Sequence, residues 1–354
     1  MNRFRWIVGG FLVCAALCLM LAACSKDEAA ENGKQMPAPV FSAFLSAYLS
    51  NSGRIVDTGN DDISHSEGQG YGMLFAVEAD DRASFDHMAK WTQKNLAIRE
   101  DGLLAWKWVP DGEFSGQVTD RNNATDGDIL IAWAYLRAYD NWNREADRES
   151  ALVIMDAILA NGLIETTYGP AILPGTEGFR KSDGAILNLS YWVFPALERF
   201  ALAQPNESWG AVRDSGWSLL SVAGLGAFDL PPDWIYVDGV GNVSPAEDWP
   251  VEFGYNAIRI PAHLCGMSSA GDFERLNVFR DYFSKRGNDL STQWSLSVDQ
   301  PTGYSAGGGF QAVAELVLGD CQLETIRQAS TVYYEDALIA LAHLMSCKGD
   351  CRKH

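Results

Sequence analysis

Glu67 stands in the stretch Ser64-His65-Ser66-Glu67-Gly68-Gln69-Gly70-Tyr71-Gly72-Met73, one acid among small residues with an apolar run behind it. A carboxyl group so placed can cap a helix, or it can move a proton on a ligand that comes close. Met73, Leu74 and Val77 recur at helical spacing, and Ser64-x-x-Glu67 and Ser66-x-x-Gln69 both read as capping boxes, which predicts a helix starting at Glu67. Gly68, Gly70 and Gly72 each weaken such a helix by roughly 0.5 to 1 kcal/mol relative to Ala. A plain cap has no need of them, so they predict that something bulky approaches the backbone beside the acid. Asp126 and Asp128 form a second candidate pair, at the head of a run through Ile129, Ile131, Ala132, Ala134, Tyr135 and Ala138. First-turn acids are ordinary at a helix start, but this helix is apolar on nearly every side and therefore lies inside the protein. Acids at the end of an interior helix face a cavity or a partner more often than free solvent.

Aromatic residues narrow the chemistry. Trp106, Trp108, Trp192, Trp234 and Trp249, with Tyr168, Tyr191, Tyr236 and Tyr255, fall in or beside long loops rich in Trp, Asp, Gly and Pro. Most such residues pack in a core. Beside acids, however, their planes suit the apolar C–H faces of pyranose rings, with Asp, Asn and Arg left to bind hydroxyls. Cleavage of a glycosidic bond needs two carboxyl groups, one protonated to assist the leaving oxygen and one that activates water or attacks directly.

The elements that must position these residues read mostly as helices. Helical periodicity marks 38–50, 67–79, 84–96, 126–140, 147–160, 188–202, 207–222, 254–266, 271–285, 308–318 and 331–346. Short extended pieces are expected at 103–109 and 166–173, and nothing alternates long enough to make a large sheet. Short links alternate with long loops at 97–125, 162–187, 224–253 and 286–307, which predicts paired inner and outer helices with the long loops gathered at one end. No sequence repeat announces a solenoid.

Composition bounds the function. The 354 residues carry a formal charge of −19, enough length for a large core in one big domain or two smaller ones. Such acidity disfavours nucleic acid as a partner, and the glycines around Glu67 match neither a Walker nor a dinucleotide fingerprint.

At the N-terminus, Arg3 and Arg5 precede an apolar stretch that ends in Leu21-Ala22-Ala23-Cys24. This predicts an export signal over residues 1–23, followed by a tether over 24–39 rich in Ala, Glu, Lys and Pro, and then one domain over 40–354. Leu-Ala-Ala-Cys resembles the lipobox of bacterial lipoproteins, which implies lipidation of Cys24. With Ser25 next, it also implies an outer-membrane anchor facing the periplasm. Cys14 and Cys18 leave with the signal. Cys265, Cys321, Cys347 and Cys351 then remain, and in an oxidising compartment these form up to two disulfides among three connectivities. The spacing Cys347-x-x-x-Cys351, with Cys321 and His354 near, is a poor zinc site because no second ligand pair appears. No metal or other cofactor is expected.

Taken in order, SEGQGYGM, DDRASFDHMAKWTQKNL, LLAWKW, NNATDGDILIAWAYLRAYDNW and FGYNAIRIP resemble glycoside hydrolase family 8, whose best-known members are bacterial endoglucanases. The matches run from about residue 40 to 345. Tyr135 departs from the pattern, standing where a smaller aliphatic is usual. The resemblance implies an all-α (α/α)6 barrel whose long loops form a glycan-binding cleft, an inverting mechanism, and endo-hydrolysis of a β-1,4-linked polysaccharide. Cellulose-like glucan comes first, with chitosan and xylan as alternatives. By the same resemblance Glu67 is the general acid. Asp126 is a second carboxylate, catalytic or gripping the sugar at the cleavage point, and Trp106, Trp108, Tyr191, Tyr255, Asn256 and Arg259 contact substrate. An exopolysaccharide synthesis or export complex is the implied cellular partner.

Many relatives carry aspartate at the position of Asn256, and that residue is usually regarded as the catalytic base. Asn256 cannot accept water's proton effectively, so three readings stay open. Asp126 is the base; or Glu247, Asp248 or Glu252 in the preceding loop replaces it; or the protein is a weak hydrolase or a glycan-binding lipoprotein.

Overall fold

The computed structural model describes residues 39–267, 274–323 and 330–346. Cys24, Cys347, Cys351, His354 and nearly all of the expected signal and tether lie outside them. Among the described residues there are eleven α-helices: α1 (Pro39–Tyr48), α2 (Ser66–Glu78), α3 (Arg82–Asn95), α4 (Thr125–Trp142), α5 (Glu145–Asn161), α6 (Phe194–Ala203), α7 (Trp209–Leu220), α8 (Arg259–Cys265), α9 (Asn277–Arg286), α10 (Gly308–Leu318) and α11 (Tyr333–Met345). Each falls on a stretch of predicted helical periodicity. None of them is long and apolar enough to cross a membrane.

Helices buried on nearly every side are covered by amphipathic ones. Helices α2, α4, α8 and α11 are of the first kind, while α3 buries only Phe85, Met88, Trp91 and Thr92. Helix α2 packs on α4, α4 on α6, α6 on α8, α8 on α11, and α11 back on α1 and α2, which closes the ring. This is the expected (α/α)6 barrel. A large all-round apolar surface on the inner helices is what drives their burial, at about 25 cal/mol per Å² removed from water.

The glycines beside Glu67 serve that packing. A Cβ on Gly70 would lie 2.5 Å from the Cβ of Leu130, and one on Gly127 would lie 2.1 Å from Ser66 Oγ, so α2 and α4 approach backbone to backbone only because both positions lack a side chain. Gly72 similarly admits Ile55 and Met88. Protein atoms, rather than open cleft, occupy the space these glycines leave.

The start of α2 also differs from the predicted capping boxes. His65 is the N-cap, its Nδ1 accepting the Gly68 N–H at 3.0 Å. Ser64 instead donates its hydroxyl to Ile55 O, and the Gln69 side-chain carbonyl accepts the Ile55 N–H while its amide donates to Thr92 Oγ1 at 2.9 Å. Buried donors and acceptors across the α1–α2 connection claimed these side chains before the helix end could.

Strands are short and confined to the long loops. Ser64–His65, Lys107–Pro110 and Gly116–Asp120 form a three-stranded sheet that seats the loop carrying Trp106 against the start of α2. A four-stranded antiparallel sheet of Arg180–Lys181, Gly184–Leu187, Ile235–Asp238 and Val243–Pro245 was not expected from the sequence. Cys265 at the end of α8 is bonded to Cys321 beyond α10, both fully buried. This selects one pairing from the connectivities the sequence left open.

Candidate active site

A cavity of about 250 Å³ opens where α2, α4, α8 and α11 begin. Its wall includes Glu67, Asp126 and Arg259, with Trp106, Tyr191 and Asn256 around them. Asn256 and Arg259, from the turn before α8 and its first residue, reach the cavity wall, and Gly254 and Ala257 donate their backbone N–H groups to Asp233, which fixes the entry of the chain into the helix.

Arg259 organises the cavity. It is 4% exposed, yet both of its terminal nitrogens are engaged. One, Nη1, donates to Glu67 Oε1 and also to Asp126 Oδ2 at 3.0 Å. The other, Nη2, donates to Ser190 Oγ at 2.8 Å and to Asn256 Oδ1 at 3.0 Å. The guanidinium lies 5.9 Å from the centre of the Tyr191 ring. A planar fork with fixed donors can hold this many partners at set angles where an ammonium cannot.

Asp126 is buried, its second oxygen Oδ1 accepting the Gly127 N–H at 2.8 Å. Burial, with the neighbouring Glu67 carboxylate, raises its pKa to about 6, against the opposing pull of Arg259 and the Gly127 N–H. Glu67 is the more accessible of the two, with 23% of its side chain exposed. Asp128, by contrast, lies outside the cavity wall. It accepts Leu104 N–H and Asn123 Nδ2 at 2.8 Å each, which ties the 97–125 loop to α4.

Two expected contact residues do not line the cavity wall itself. Trp108 is 4% exposed, edge-on to Trp91 at 5.3 Å and beneath the Arg54 guanidinium at 5.2 Å. In the strand Lys107–Pro110 successive side chains point to opposite faces, so Trp106 and Trp108, two apart, would share a face if the strand were regular. A register shift between Lys107 and Trp108 separates them. Tyr255 stands at the rim, 39% exposed, against Tyr334 and Phe310. The loop acids considered as substitutes for a base are also away from the cavity wall: Glu247 and Asp248 are exposed, and Glu252 accepts a hydrogen bond from Gln293.

Sequence reasoning missed several wall residues. Tyr71, Tyr333 and Tyr334 line the cavity, and the hydroxyls of Tyr71 and Tyr333 are buried without a protein partner. Asp57 and His65 complete the Glu67 side, His65 Nε2 lying 3.4 Å from Asp57 Oδ2. The Tyr333-Tyr334 pair at the head of a predicted helix was the available signal. Beyond the cavity, Trp234 follows Asp233 directly and is sandwiched between Phe179, at 5.7 Å and nearly parallel, and Trp249, at 4.1 Å. The outer Trp249 is 38% exposed.

Polar side chains, stackable rings and three carboxyl groups share one open cavity, an arrangement that suits a carbohydrate chain. Comparison with known proteins agrees. Residues 10–348 match the family described as glycosyl hydrolases family 8. The chain is 39% identical over 315 residues to a probable endoglucanase of Novacetimonas hansenii, covering 85% of this chain and 88% of that one. It is 32% identical over 278 residues to an endoglucanase of Cellulomonas uda, covering 78% and 76%. Among solved structures it is similar to endo-β-1,4-glucanase CMCax from Acetobacter xylinum, with a TM-score of 0.80 at 36% identity over 88% of this chain and 97% of that one.

Proposed function

The chain belongs to glycosyl hydrolase family 8 and is a glycoside hydrolase; we propose that it is an endoglucanase that cleaves β-1,4-glucan within the chain and inverts the anomeric centre. The relatives named above support the substrate class. The observation that carries the assignment of roles is the sharing of Arg259 Nη1 by Glu67 and Asp126.

Glu67, the more accessible carboxyl group, gives its proton to the leaving glycosidic oxygen. Asp126 grips a hydroxyl of the sugar at the cleavage point. Its oxygen and that of Glu67 bond the same nitrogen, so they are at most about 6 Å apart. Inversion needs a base roughly 6.5 to 9.5 Å from the acid to leave room for water, which Asp126 is too close to be. Trp106 and Tyr191 supply ring faces beside the cleavage point, and Tyr255 extends them at the rim. Chitosan and xylan are the competing substrates.

We also assign the chain to the periplasmic face of an outer membrane, lipidated at Cys24 and serving an exopolysaccharide synthesis or export system; the Leu-Ala-Ala-Cys motif supports this. Loss of membrane association in Cys24→Ala would be its simplest test.

Asn256 favours one second reading, a glycan-binding lipoprotein with little turnover. Reducing-end release from carboxymethylcellulose, barley β-glucan, xylan and chitosan separates the two, with Glu67→Gln as control. Release from the two glucans, abolished by the substitution, is expected. Binding without release would establish the second reading.

A further inference from the structure

If the reaction inverts, a proton acceptor must stand across the cavity from Glu67, and Asp126 is too near. The third carboxylate of the cavity wall is Asp57. Its oxygens face the Gly59 N–H at 3.0 Å and His65 Nε2 at 3.4 Å, on the same side as Glu67. On the opposite side of Arg259 the wall residue is Asn256, and behind it is a carboxylate.

Asn256 has only one admissible orientation. Arg259 Nη2 is purely a donor, so the atom 3.0 Å from it is the amide oxygen, and Nδ2 then points to Asp233 Oδ2 at 3.5 Å. Asp233 is 6% exposed. Its other oxygen is saturated by Gly254 N–H at 2.9 Å and Ala257 N–H at 2.8 Å, which leaves Oδ2 for Asn256. We propose that Asp233 is the terminal proton acceptor of the hydrolytic step, reached through the side-chain amide of Asn256.

This rests on the inverting hydrolase reading. The nucleophilic water forms its bond to the anomeric carbon as the bond to the leaving sugar breaks and Glu67 protonates the leaving oxygen. The water's proton passes to Asn256 Oδ1, and a proton on Nδ2 passes to Asp233 Oδ2, leaving the amide in its imidic acid form. One proton has left Glu67 and one has reached Asp233; solvent returns them after product leaves. A carboxylate on Nδ2 makes Oδ1 a better acceptor than an isolated amide, and burial, the largest influence, raises the proton affinity of Asp233 itself. The 3.5 Å separation is at the long end for a hydrogen bond, and catalytic contacts of this kind tighten only with substrate bound. Asp233 acts through another residue and is therefore a positioning residue, whereas Asn256 meets the water.

The test uses the purified protein on carboxymethylcellulose, with melting temperatures measured for every variant. Asp233→Asn keeps an oxygen for Gly254 and Ala257 and is expected to lower kcat at least 100-fold with KM within about twofold. Asn256→Ala, which keeps Asp233 but removes the relay, is expected to fall as far. Adding Asn256→Asp to Asp233→Asn moves the carboxylate to the wall and is expected to recover kcat to within tenfold of wild type, with the acidic limb of the kcat/KM profile displaced. Unchanged kcat in folded Asn256→Ala or Asp233→Asn overturns the relay, as does a folded double variant that stays inactive. A wild-type protein that releases no reducing ends would instead sink the hydrolase reading, so the two failures are told apart.

Discussion

Arg259 and Asp126, 133 residues apart in the chain, meet at 3.0 Å through Nη1 and Oδ2, both nearly inaccessible to solvent. Burial of the pair is no evidence of a stabilising role, since buried ion pairs are often no better than apolar residues of the same volume. Its value is geometric: Nη1 also reaches Glu67, and Nη2 reaches Asn256. Arg259→Lys keeps the charge and loses the fork. The expected result is a fall in kcat/KM of about 100-fold with the fold retained, read from steady-state kinetics and a melting curve. Turnover near wild type would show that a point charge is sufficient.

Asp126 supplies a pH dependence. With its pKa raised to about 6 by burial and Glu67, it is mostly ionised at pH 7 and takes a proton as pH falls through 6. Protonation removes an acceptor for a sugar hydroxyl, so KM on β-glucan is expected to rise between pH 7 and pH 5. Asp126→Asn should have a high KM that is flat over the same range. A wild-type KM that stays constant there would remove Asp126 from substrate binding.

The placement of these two residues shows what the sequence made legible. Every described helix lies on a stretch of helical periodicity, because each buries one face or all faces in the ring. The identity of the acids at the heads of α2 and α4 was readable for the same reason. Where long-range bonding decides, legibility failed. The periodicity of 254–266 predicted a helix from Gly254, but Asp233 takes the N–H groups of Gly254 and Ala257 and delays the start of α8 to Arg259. Trp108 could not be told from Trp106 because an irregular register, invisible in composition, turns one to the cavity and the other to Trp91. The four-residue strands around 184 and 235 are too short for alternation to register. That Asp233 stands behind Asn256 depends on a turn that only the folded chain reveals.

Asp128 makes a separate prediction about stability. Burial, the largest influence, raises its pKa from 3.8 to about 7 despite hydrogen bonds from Asn123 and Leu104. Between about pH 4 and pH 7 the folded protein therefore holds a proton that the unfolded chain has released. The contribution of this group to stability is fully present below pH 4 and is lost as pH rises through 7. The melting temperature of wild type is expected to fall more steeply from pH 5 to pH 8 than that of Asp128→Asn. The variant should also be less stable at pH 5 by about 1 to 3 kcal/mol, because its amide nitrogen faces the donor Nδ2 of Asn123. Equal slopes in thermal melts across that range would contradict the assignment.

The stacked rings of Phe179, Trp234 and Trp249 extend from the cavity wall, since Trp234 adjoins Asp233 in the chain and Asp233 touches Asn256. Trp234 is covered on both faces, so only the outer face of Trp249 remains for a ligand. A platform outside the cavity wall meets a long glucan but not a short one, and its binding energy is uniform through the reaction. Trp249→Ala is therefore expected to raise KM on carboxymethylcellulose about 5- to 10-fold, on the order of 1 kcal/mol for an aromatic stack, with kcat unchanged. On cello-oligosaccharides too short to span from the cleavage point to the platform, neither constant should move. Equal losses on polymer and short substrate would place Trp249 within reach of the cleaved bond, and no loss on either would leave the stack as packing for the four-stranded sheet.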